Sequence, residues 1–348
     1  MRVLVTGASG MLGRAVADTL AERGEDVTVL QRRPSGSPHR EVLGDVADPI
    51  AVQAAVDGQD AVIHLAAKVN VVGAWEDYRR TNIEGTRALV EASRAGSVQR
   101  FVQVSSPSVA HAGDSLAGVG AGPADPERAR GNYARSKAAA ELIALGADGP
   151  DLAVTAVRPH LVWGPGDTQL IGRILQRAKA GRLPILGRGT SLVDTTYVTN
   201  AADAIVAALD RAEEARGRAL VVTNGEPRPI GELISDICRA GGAPPPRLRI
   251  PARAAWAAGA AVEGVMALSH VLPGVPPMTE PPLTRFLAEQ LSTAHWFDQR
   301  ETRRVLDWTP RVSLAEGLAL LASATAAELE STDHESTGHE SAQGTTDQ

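Results

Sequence analysis

Cysteine is almost absent from this chain of 348 residues, because Cys238 is the only one. A single cysteine excludes a disulfide framework and every metal site built from several cysteines, and we predict no metal site. Phe, Trp and Tyr make up only 3% of the residues, so the core must consist mainly of Ala, Val, Leu and Ile. The 35 Lys and Arg residues are outnumbered by 41 Asp and Glu residues, which argues against a nucleic-acid partner.

Long hydrophobic runs are missing as well. An apolar strand-like run begins at Val3, which leaves no room for a cleavable targeting segment. The most apolar stretch, residues 254–272, contains Glu263 and several glycines and falls short of the roughly 20 apolar residues of a membrane-spanning helix. We interpret it as a buried or interfacial helix. We therefore expect a cytoplasmic protein without a firm membrane anchor.

Apolar β-rich runs alternate with alanine-rich stretches of helical spacing in the first half of the chain. The runs are residues 3–5, 27–30, 61–65, 100–104 and 152–157, and the helical stretches are 11–23, 50–56, 78–95 and 133–145. This alternation predicts an α/β fold, a parallel sheet with helices on both faces. The unbroken apolarity of the runs indicates strands buried on both sides. Residues 110–131, rich in Gly, Ala, Pro and Asp, are predicted to be a loop.

The first predicted strand leads into a turn with glycines at positions 7, 10 and 13. In a dinucleotide-binding turn, Gly7 would allow the tight bend, Gly10 the approach of a pyrophosphate, and Gly13 close packing of helix and strand. The helix that follows would offer free N–H groups to the phosphates. Glycine turns are common, but this one opens the first strand–helix unit, where a Rossmann-type fold requires it.

The end of the second predicted strand bears on the choice of cofactor. A carboxylate at this place binds the ribose 2′-hydroxyl of NAD, whereas an arginine accommodates the 2′-phosphate of NADP. The chain has Gln31, Arg32 and Arg33 here, so NADP is favoured over NAD, with an ordinary basic surface pair as the alternative. Asp45, after the third strand, is a candidate for contact with the adenine or a plain loop residue.

Tyr133 and Lys137 lie four residues apart in a predicted helix, which places both on one face with Cβ atoms about 6 Å apart. A phenol with a pKa near 10 is a poor base unless a positive charge favours its phenolate. Lys137 and an oxidised nicotinamide in a desolvated site would supply that charge. Such pairs are common on solvated helices, but Ser105 and Ser106 end a predicted strand at the sheet edge where α/β folds bind ligands.

These motifs occur in a familiar order, and the chain resembles an extended short-chain dehydrogenase/reductase. The motifs are Thr6-Gly7-x-x-Gly10-x-x-Gly13, Asp45-Val46, His64-Leu65-Ala66-Ala67, Thr81-Asn82-x-x-Gly85-Thr86, Ser105-Ser106, Tyr133-x-x-x-Lys137 and Arg158-Pro159. Residues 105–109, 158–167, 193–198 and 297–310 resemble the 3β-hydroxysteroid dehydrogenase branch in particular. That branch includes sterol-4-carboxylate dehydrogenases and bacterial 2-alkyl-3-oxoalkanoate reductases.

The resemblance implies a role for each matching residue. Tyr133 would be the general acid/base, Lys137 its activator and a ligand of the nicotinamide ribose, Ser106 a donor to the substrate oxygen, with Ser105 as the competing choice, and Asn82 a support. The implied cofactor-binding residues, besides Tyr133 and Lys137, are Thr6, Gly7, Gly10, Met11, Leu12, Gly13, Arg32, Arg33, Asp45, Val46, Leu65, Ala66, Ala67, Pro159, Leu161 and Val162. His64 and His160 are interpreted as structural. His111 stands where sugar-modifying relatives carry a Tyr-Gly pair, which disfavours a nucleotide-sugar substrate.

The same resemblance implies the domain organisation. Residues 1–163 would form the dinucleotide-binding domain, to which segments near 190–224 return, and 164–330 mainly a smaller, interleaved substrate domain. The polar tail, 331–348, is predicted to be disordered. A weakly polar helix with Trp256, Val262, Val265, Met266 and Leu268 indicates a hydrophobic substrate or packing against the main domain.

The leading hypothesis is an NAD(P)-dependent oxidoreductase that interconverts a secondary alcohol and a ketone on a small hydrophobic substrate of 3β-hydroxysteroid or 3-oxoacyl type. Two alternatives stay open: a nucleotide-sugar epimerase or dehydratase of the same fold, and a redox sensor that holds NADP without turnover. The faces of residues 78–95 and 133–145 are compatible with a homodimer, as in relatives.

Overall fold

The computed structural model describes residues 1–69, 73–269 and 292–340, and its centre is a sheet of seven parallel strands. In chain order these are β1 (Arg2–Thr6), β2 (Asp26–Gln31), β3 (Arg40–Leu43), β4 (Ala61–His64), β5 (Arg100–Val104), β7 (Ala153–Pro159) and β12 (Ala219–Val222). They lie in the order β12-β7-β5-β4-β1-β2-β3. The strand order therefore reverses between β1 and β4, where open α/β sheets bind ligands. The predicted doubly wound parallel sheet is confirmed.

Helices cover both faces of this sheet. In chain order the helices of the described residues are α1 (Met11–Glu22), α2 (Pro49–Val56), α3 (Trp75–Tyr78), α4 (Gly85–Ala95), α5 (Gly131–Leu145), α6 (Ile171–Lys179), α7 (Val198–Asp210), α8 (Ala212–Ala215), α9 (Ile230–Ala240), α10 (Ala252–Ser269), α11 (Arg300–Leu306) and α12 (Leu314–Glu340). A π-helical segment (Arg79–Glu84) joins α3 to α4, and a 3₁₀ turn (Pro107–Ala110) follows β5. Helices α1 and α7 pack together on one face, and α2 and α4 on the other.

The apolar strands are buried on both sides because successive residues face opposite cores. Val3 and Val5 of β1 belong to one core with Ile205 of α7, whereas Leu4 belongs to the other with Leu89 of α4. All five side chains are fully buried. The unbroken apolarity of the strands thus reflects a sheet covered by helices on both faces.

The second half contributes short strands that pair with distant parts of the chain. Strands β6 (Leu116–Val119), β10 (Leu192–Val193), β13 (Arg228–Pro229) and β15 (His295–Phe297) form a mixed sheet in the order β13-β10-β15-β6. Two further pairs are β8 (Val162–Trp163) with β11 (Thr196–Tyr197) and β9 (Ile185–Leu186) with β14 (Arg249–Ile250). The prediction of a loop over 110–131 is therefore wrong for 116–119, because β15 supplies pairing partners from far along the chain.

Two other segments bear on sequence-based predictions. Helix α10 forms as expected; Trp256 is 45% exposed, and Ala255 is buried against Leu186; the side chains of residues 265–268 lie outside the described residues. Helix α12 continues to Glu340, and the disorder predicted for residues 331–348 stays a prediction. Residues 341–348 lie outside the described part of the chain. Within the part that is described, no helix is both long and apolar enough to cross a bilayer.

Candidate active site

The glycine turn after β1 is too tightly packed for a side chain at two of its three glycines. A Cβ atom on Gly7, whose φ is +79°, would lie 2.8 Å from the backbone nitrogen of Ala66, and one on Gly13 only 2.2 Å from the carbonyl oxygen of Gly7. These two glycines are required by the protein's own packing. At Gly10, which precedes α1, the nearest atom would be 3.5 Å away. The exposed N-terminus of α1 thus has room for a phosphate, and the turn fits a dinucleotide.

A buried hydrogen-bond chain connects this turn to the neighbouring helices. The Thr86 hydroxyl donates its one proton to the carbonyl oxygen of Asn82 at 2.6 Å. The His64 ring nitrogen Nε2, 3.1 Å from that hydroxyl, must therefore be the donor to it. Nδ1 of His64 then accepts from the Thr6 hydroxyl at 2.7 Å, and Thr6 accepts from the backbone N–H of Ala66 at 3.1 Å. Because the Thr6 side chain is fully buried in this chain, a cofactor would meet its backbone.

Tyr133 and Ser106 come together at the carboxyl edge of the sheet. Ser106 begins the 3₁₀ turn after β5, where its Oγ accepts from the backbone N–H of Ser108 at 3.3 Å. Tyr133 lies in the first turn of α5 and is half-buried, and its phenol is near enough to the Ser106 side chain for Ser106 to lower the pKa of the phenol. The hydroxyl of Ser105 is buried without a hydrogen-bond partner among the described residues. Ser106, rather than Ser105, is therefore the serine beside the phenol.

Lys137 and Asn82 fix the same helix from two sides. Lys137 is 3% exposed and donates to the carbonyl oxygen of Val104 at 2.5 Å. Asn82 lies in the π-helical segment, a distortion often found at functional sites. Its amide donates to Ser136 Oγ at 2.8 Å, and its Oδ1 accepts from the backbone N–H of Lys68 at 2.7 Å. Asn82 thus ties α5 to the segment that follows β4.

The protonation states of this pair suit a proton donor. Burial raises the pKa of the Tyr133 phenol above its ordinary value, and the nearby Ser106 side chain lowers it in part. Burial lowers the pKa of Lys137 to about 8, while the charge of Glu141 raises it. At pH 7 the phenol is therefore protonated and the amine charged. Desolvation is the larger effect on the phenol here, and its acidification by Lys137 together with an oxidised nicotinamide stays a prediction.

Backbone strain occurs where the nicotinamide is expected. Leu161, between β7 and β8, has a φ of +43°, a conformation that costs a non-glycine residue about 1–3 kcal/mol. Its neighbours hold it there: the Thr196 hydroxyl lies 2.9 Å from the carbonyl oxygens of both His160 and Val222 and shares its one proton between them. Pro159 is buried and Val162 half-buried beside it. Strain of this kind is typical of segments positioned for a ligand.

The remaining predicted cofactor residues are spread around the turn. Arg32 and Arg33 are exposed, and Val46 is buried in the core. Asp45 accepts from the backbone N–H of Ala47 at 3.0 Å and pairs with Arg80 at 3.1 Å. Five others are half-buried near the turn or after β4: Met11, Leu12, Leu65, Ala66 and Ala67.

A cavity of about 230 Å³ lies between α1 and the loop after β2. Its lining includes Arg14, Ser35, Ser37 and His39, but neither arginine that the sequence suggested for the cofactor phosphate. The His39 ring lies 3.1 Å from the carboxylate of Asp18, which also lines the cavity. Arg14 is therefore the basic side chain that the fold brings to this place. The sequence signal for it was weak, because Arg14 stands in α1 rather than after β2.

Three buried histidines meet beyond the carboxyl ends of β5 and β7. The ring centroids of His111 and His295 are 5.0 Å apart, and those of His160 and His295 are 5.9 Å apart. Nδ1 of His160 lies 2.5 Å from the carbonyl oxygen of Asp194. Burial lowers the pKa of His160 to about 4 and of His295 to about 3. Within the described residues, no group of His, Cys, Asp and Glu side chains is arranged to hold a metal ion.

These histidines make the free energy of unfolding depend on pH. The folded pKa of His160, about 4, lies below its ordinary value of 6.5. Between these two pH values His160 is protonated in the unfolded chain and neutral in the folded chain. The stabilisation is complete above pH 6.5 and falls as the pH drops toward the folded pKa. At pH 5 the loss is about 2 kcal/mol for each such histidine. Urea denaturation gives the free energy of unfolding at pH 7 and at pH 5. The difference between the two values should be about 2 kcal/mol smaller in His160→Asn than in the wild type. An unchanged difference would contradict the lowered pKa of His160.

Comparisons with known proteins agree with this geometry. Residues 3–223 match the NAD dependent epimerase/dehydratase family. The chain is 41% identical to a 2-alkyl-3-oxoalkanoate reductase of Stenotrophomonas maltophilia, over 94% of this chain and 100% of the relative. It is 32% identical to a 3β-hydroxysteroid dehydrogenase/Δ5→4-isomerase of Mycobacterium tuberculosis, over 91% and 88%. The structure of MoeE5 in complex with UDP-glucose and NAD is 27% identical, with a TM-score of 0.71 over 94% and 100%.

The sheet, the glycine turn and these relatives together define an NAD(P)-dependent oxidoreductase of the extended short-chain dehydrogenase/reductase type, an enzyme that acts on CH–OH groups. The chain belongs to the NAD dependent epimerase/dehydratase family. The resemblance inferred from the sequence motifs is thereby confirmed, including the branch of 3β-hydroxysteroid dehydrogenases and 2-alkyl-3-oxoalkanoate reductases.

Proposed function

We propose that this enzyme interconverts a ketone and a secondary alcohol on a hydrophobic 3-oxoacyl substrate of the 2-alkyl-3-oxoalkanoate class, with NADPH as its preferred cofactor. The observation that carries the proposal is the nearness of the Tyr133 phenol to the Ser106 hydroxyl at the carboxyl edge of the sheet, close enough for Ser106 to lower the pKa of the phenol. The 41% identical relative bears the name of this activity and is aligned over its whole length. A 3β-hydroxysteroid is the second substrate class, from the 32% identical relative.

The side chains around the phenol have different roles in the reduction. Bound NADPH would supply a hydride to the carbonyl carbon of the substrate. Ser106 and Tyr133 lie near each other, so both hydroxyls can donate to one substrate oxygen placed between them. Tyr133, protonated at neutral pH, gives that oxygen its proton as negative charge develops there. Lys137, a cation below its pKa of about 8, offsets the charge that remains on the phenolate.

The cavity beside α1 supports the preference for NADPH. Gln31 occupies the place of the acid that would bind a ribose 2′-hydroxyl, and its amide is turned inward to Ser35 at 2.7 Å. Arg14 lines the cavity within reach of the glycine turn. A guanidinium there suits a phosphate, for which it offers several donors in one plane.

We expect Arg14→Ala to weaken NADPH binding about tenfold, since a hydrogen bond to a charged group contributes about 1.5–3 kcal/mol. NADH binding should change less than about twofold, because NADH lacks the phosphate. Fluorescence titration of each cofactor measures both values. Arg33→Ala is the matched control, and a larger loss of NADPH binding there than in Arg14→Ala would return the role to the residues after β2.

The function is tested with purified enzyme and NADPH against three substrate sets: 2-alkyl-3-oxoalkanoates, 3-ketosteroids and UDP-sugars. We expect NADPH oxidation to be fastest with the first set. Conversion of a UDP-sugar without net NADPH oxidation would overturn the proposal in favour of an epimerase. NADPH binding without oxidation by any ketone would overturn it in favour of a redox sensor.

A further inference from the structure

A cavity of about 390 Å³ lies beside the candidate active site. Its walls are largely apolar, and Pro107, Val109, Leu116, Val119 and Phe297 supply most of the large side chains. The volume is at the lower end of the range for small-molecule pockets, about 300–1,000 Å³. Ser106, Tyr133 and Lys137 do not line it. The proposed reaction steps therefore leave this apolar cavity without a role.

A bulge in β6 shapes one wall of this cavity. Strand β6 pairs with β15, but the register shifts between Trp296 and Phe297, so that Ala117 pairs with Trp296 and Val119 with Phe297. Gly118 is the extra residue, with a φ of +66°, and a Cβ there would lie 2.7 Å from the Trp296 ring. Without a bulge, alternate residues of a strand face the same side. The bulge instead turns Val119 to the side of Leu116, as bulges do beside binding sites.

The charged groups in the lining do not make the cavity an anion site. The Arg158 guanidinium donates to Glu141 through Nε at 2.8 Å and through Nη2 at 2.5 Å. Its Nη1 donates to the carbonyl oxygen of Gly122 at 2.7 Å. The positive charge of Arg158 is therefore already neutralised inside the protein. Of the other ionisable side chains in the lining, Asp125 and Arg128 carry opposite charges, and His111 belongs to the buried histidine cluster.

Two chain segments place the cavity next to the reacting groups. Pro107, in its wall, directly follows Ser106, whose hydroxyl lies near the phenol. Arg158, also in the lining, directly precedes Pro159 and the strained segment expected to face the nicotinamide. A substrate held at Ser106 thus has an apolar space one residue away from its anchoring point.

We propose that this cavity receives an alkyl chain of the substrate, so that Leu116, Val119 and Phe297 determine the preferred chain length. The assignment rests on the proposed function, because it takes the alkyl chain from the 3-oxoacyl substrate class. The bulge at Gly118 is the feature that builds this pocket.

Filling the cavity should shorten the accepted chain. We expect Val119→Trp to lower kcat/KM about a hundredfold for 2-alkyl-3-oxoalkanoates with long chains and less than about threefold for the shortest ones. Ala121→Phe fills the cavity from another segment of its lining and should act in the same direction. Ala117→Trp is the matched control, since Ala117 is exposed on the same strand and does not line the cavity; its kcat/KM should stay within about twofold of the wild type for every chain length.

A binding measurement decides the proposal without turnover. Calorimetric titration with decanoate and butanoate compares two ligands that share a head group, and each pair of buried methylenes should tighten binding about tenfold. The preference for decanoate should disappear in Val119→Trp and Ala121→Phe and persist in Ala117→Trp. Equal binding of both acids by the wild type, or a preference that survives both filled variants, overturns the cavity assignment. Absence of turnover with every ketone overturns the proposed function instead, and the calorimetric result then still decides the cavity.

Discussion

Replacing Tyr133 with phenylalanine should lower kcat for ketone reduction about a thousandfold, because positioned general acids contribute about 10²–10⁴-fold to the rate. The ring, and with it the packing of α5, is retained, while the proton that completes the alcohol is lost. The phenol has the raised pKa of a buried group, so at neutral pH it is loaded with that proton in almost every molecule. Steady-state kinetics with saturating NADPH measures the loss.

The same variant should bind NADPH within about twofold of the wild type, since one hydroxyl contributes little to a contact as large as a dinucleotide. Tyr197→Phe is the matched control. Tyr197 packs edge-on against Trp163, with ring centroids 5.4 Å apart, in the core of the second half. Loss of the Tyr197 hydroxyl should therefore leave kcat unchanged. Undiminished turnover in Tyr133→Phe would show that the phenol does not supply the proton in the reaction.

Replacing Arg158 with methionine should lower the free energy of unfolding by about 3–5 kcal/mol, the usual cost of breaking a buried ion pair from one side. Arg158 and Glu141 are each 1% exposed, and two hydrogen bonds join them. The substitution leaves the Glu141 carboxylate charged and buried without its partner. It also removes the donor to Gly122 in the wall of the cavity.

The double variant Arg158→Met/Glu141→Leu separates lost charge from lost packing. Replacing both members of a buried pair by apolar residues is often neutral, so we expect the double variant to recover most of the stability that the single variant loses. Urea denaturation of the three proteins gives the free energies. A single variant within about 1 kcal/mol of the wild type would mean that water reaches Glu141 and that the pair is not truly desolvated.

The parts that the sequence predicts well depend on neighbouring residues. The strand, glycine turn and helix at the start of the chain follow from spacing within a dozen residues, and Gly13 is fixed by its approach to Gly7. Tyr133 and Lys137 share a helical face for the same local reason. The order of the central strands then follows from the general rules of α/β folds.

The parts that the sequence leaves open depend on contacts between distant segments. Strand β6 is only four residues long and exists because β15, more than 170 residues later, pairs with it. The histidine cluster joins His111, His160 and His295 from three such segments. The pKa of Tyr133 depends on how completely the folded chain excludes water from the phenol, a quantity that no spacing of residues expresses.

The chain from Thr6 through His64 and Thr86 to Asn82 has a consequence for how substrate and cofactor are aligned. Because Asn82 also holds Ser136 in α5, the glycine turn and α5 are connected to each other by the protein's own hydrogen bonds. Association then spends little free energy on rearranging the protein. Loss of the Thr86 hydroxyl would break this hydrogen-bond chain in its middle. It would disturb the alignment of the glycine turn and of α5 without removing any contact to a ligand.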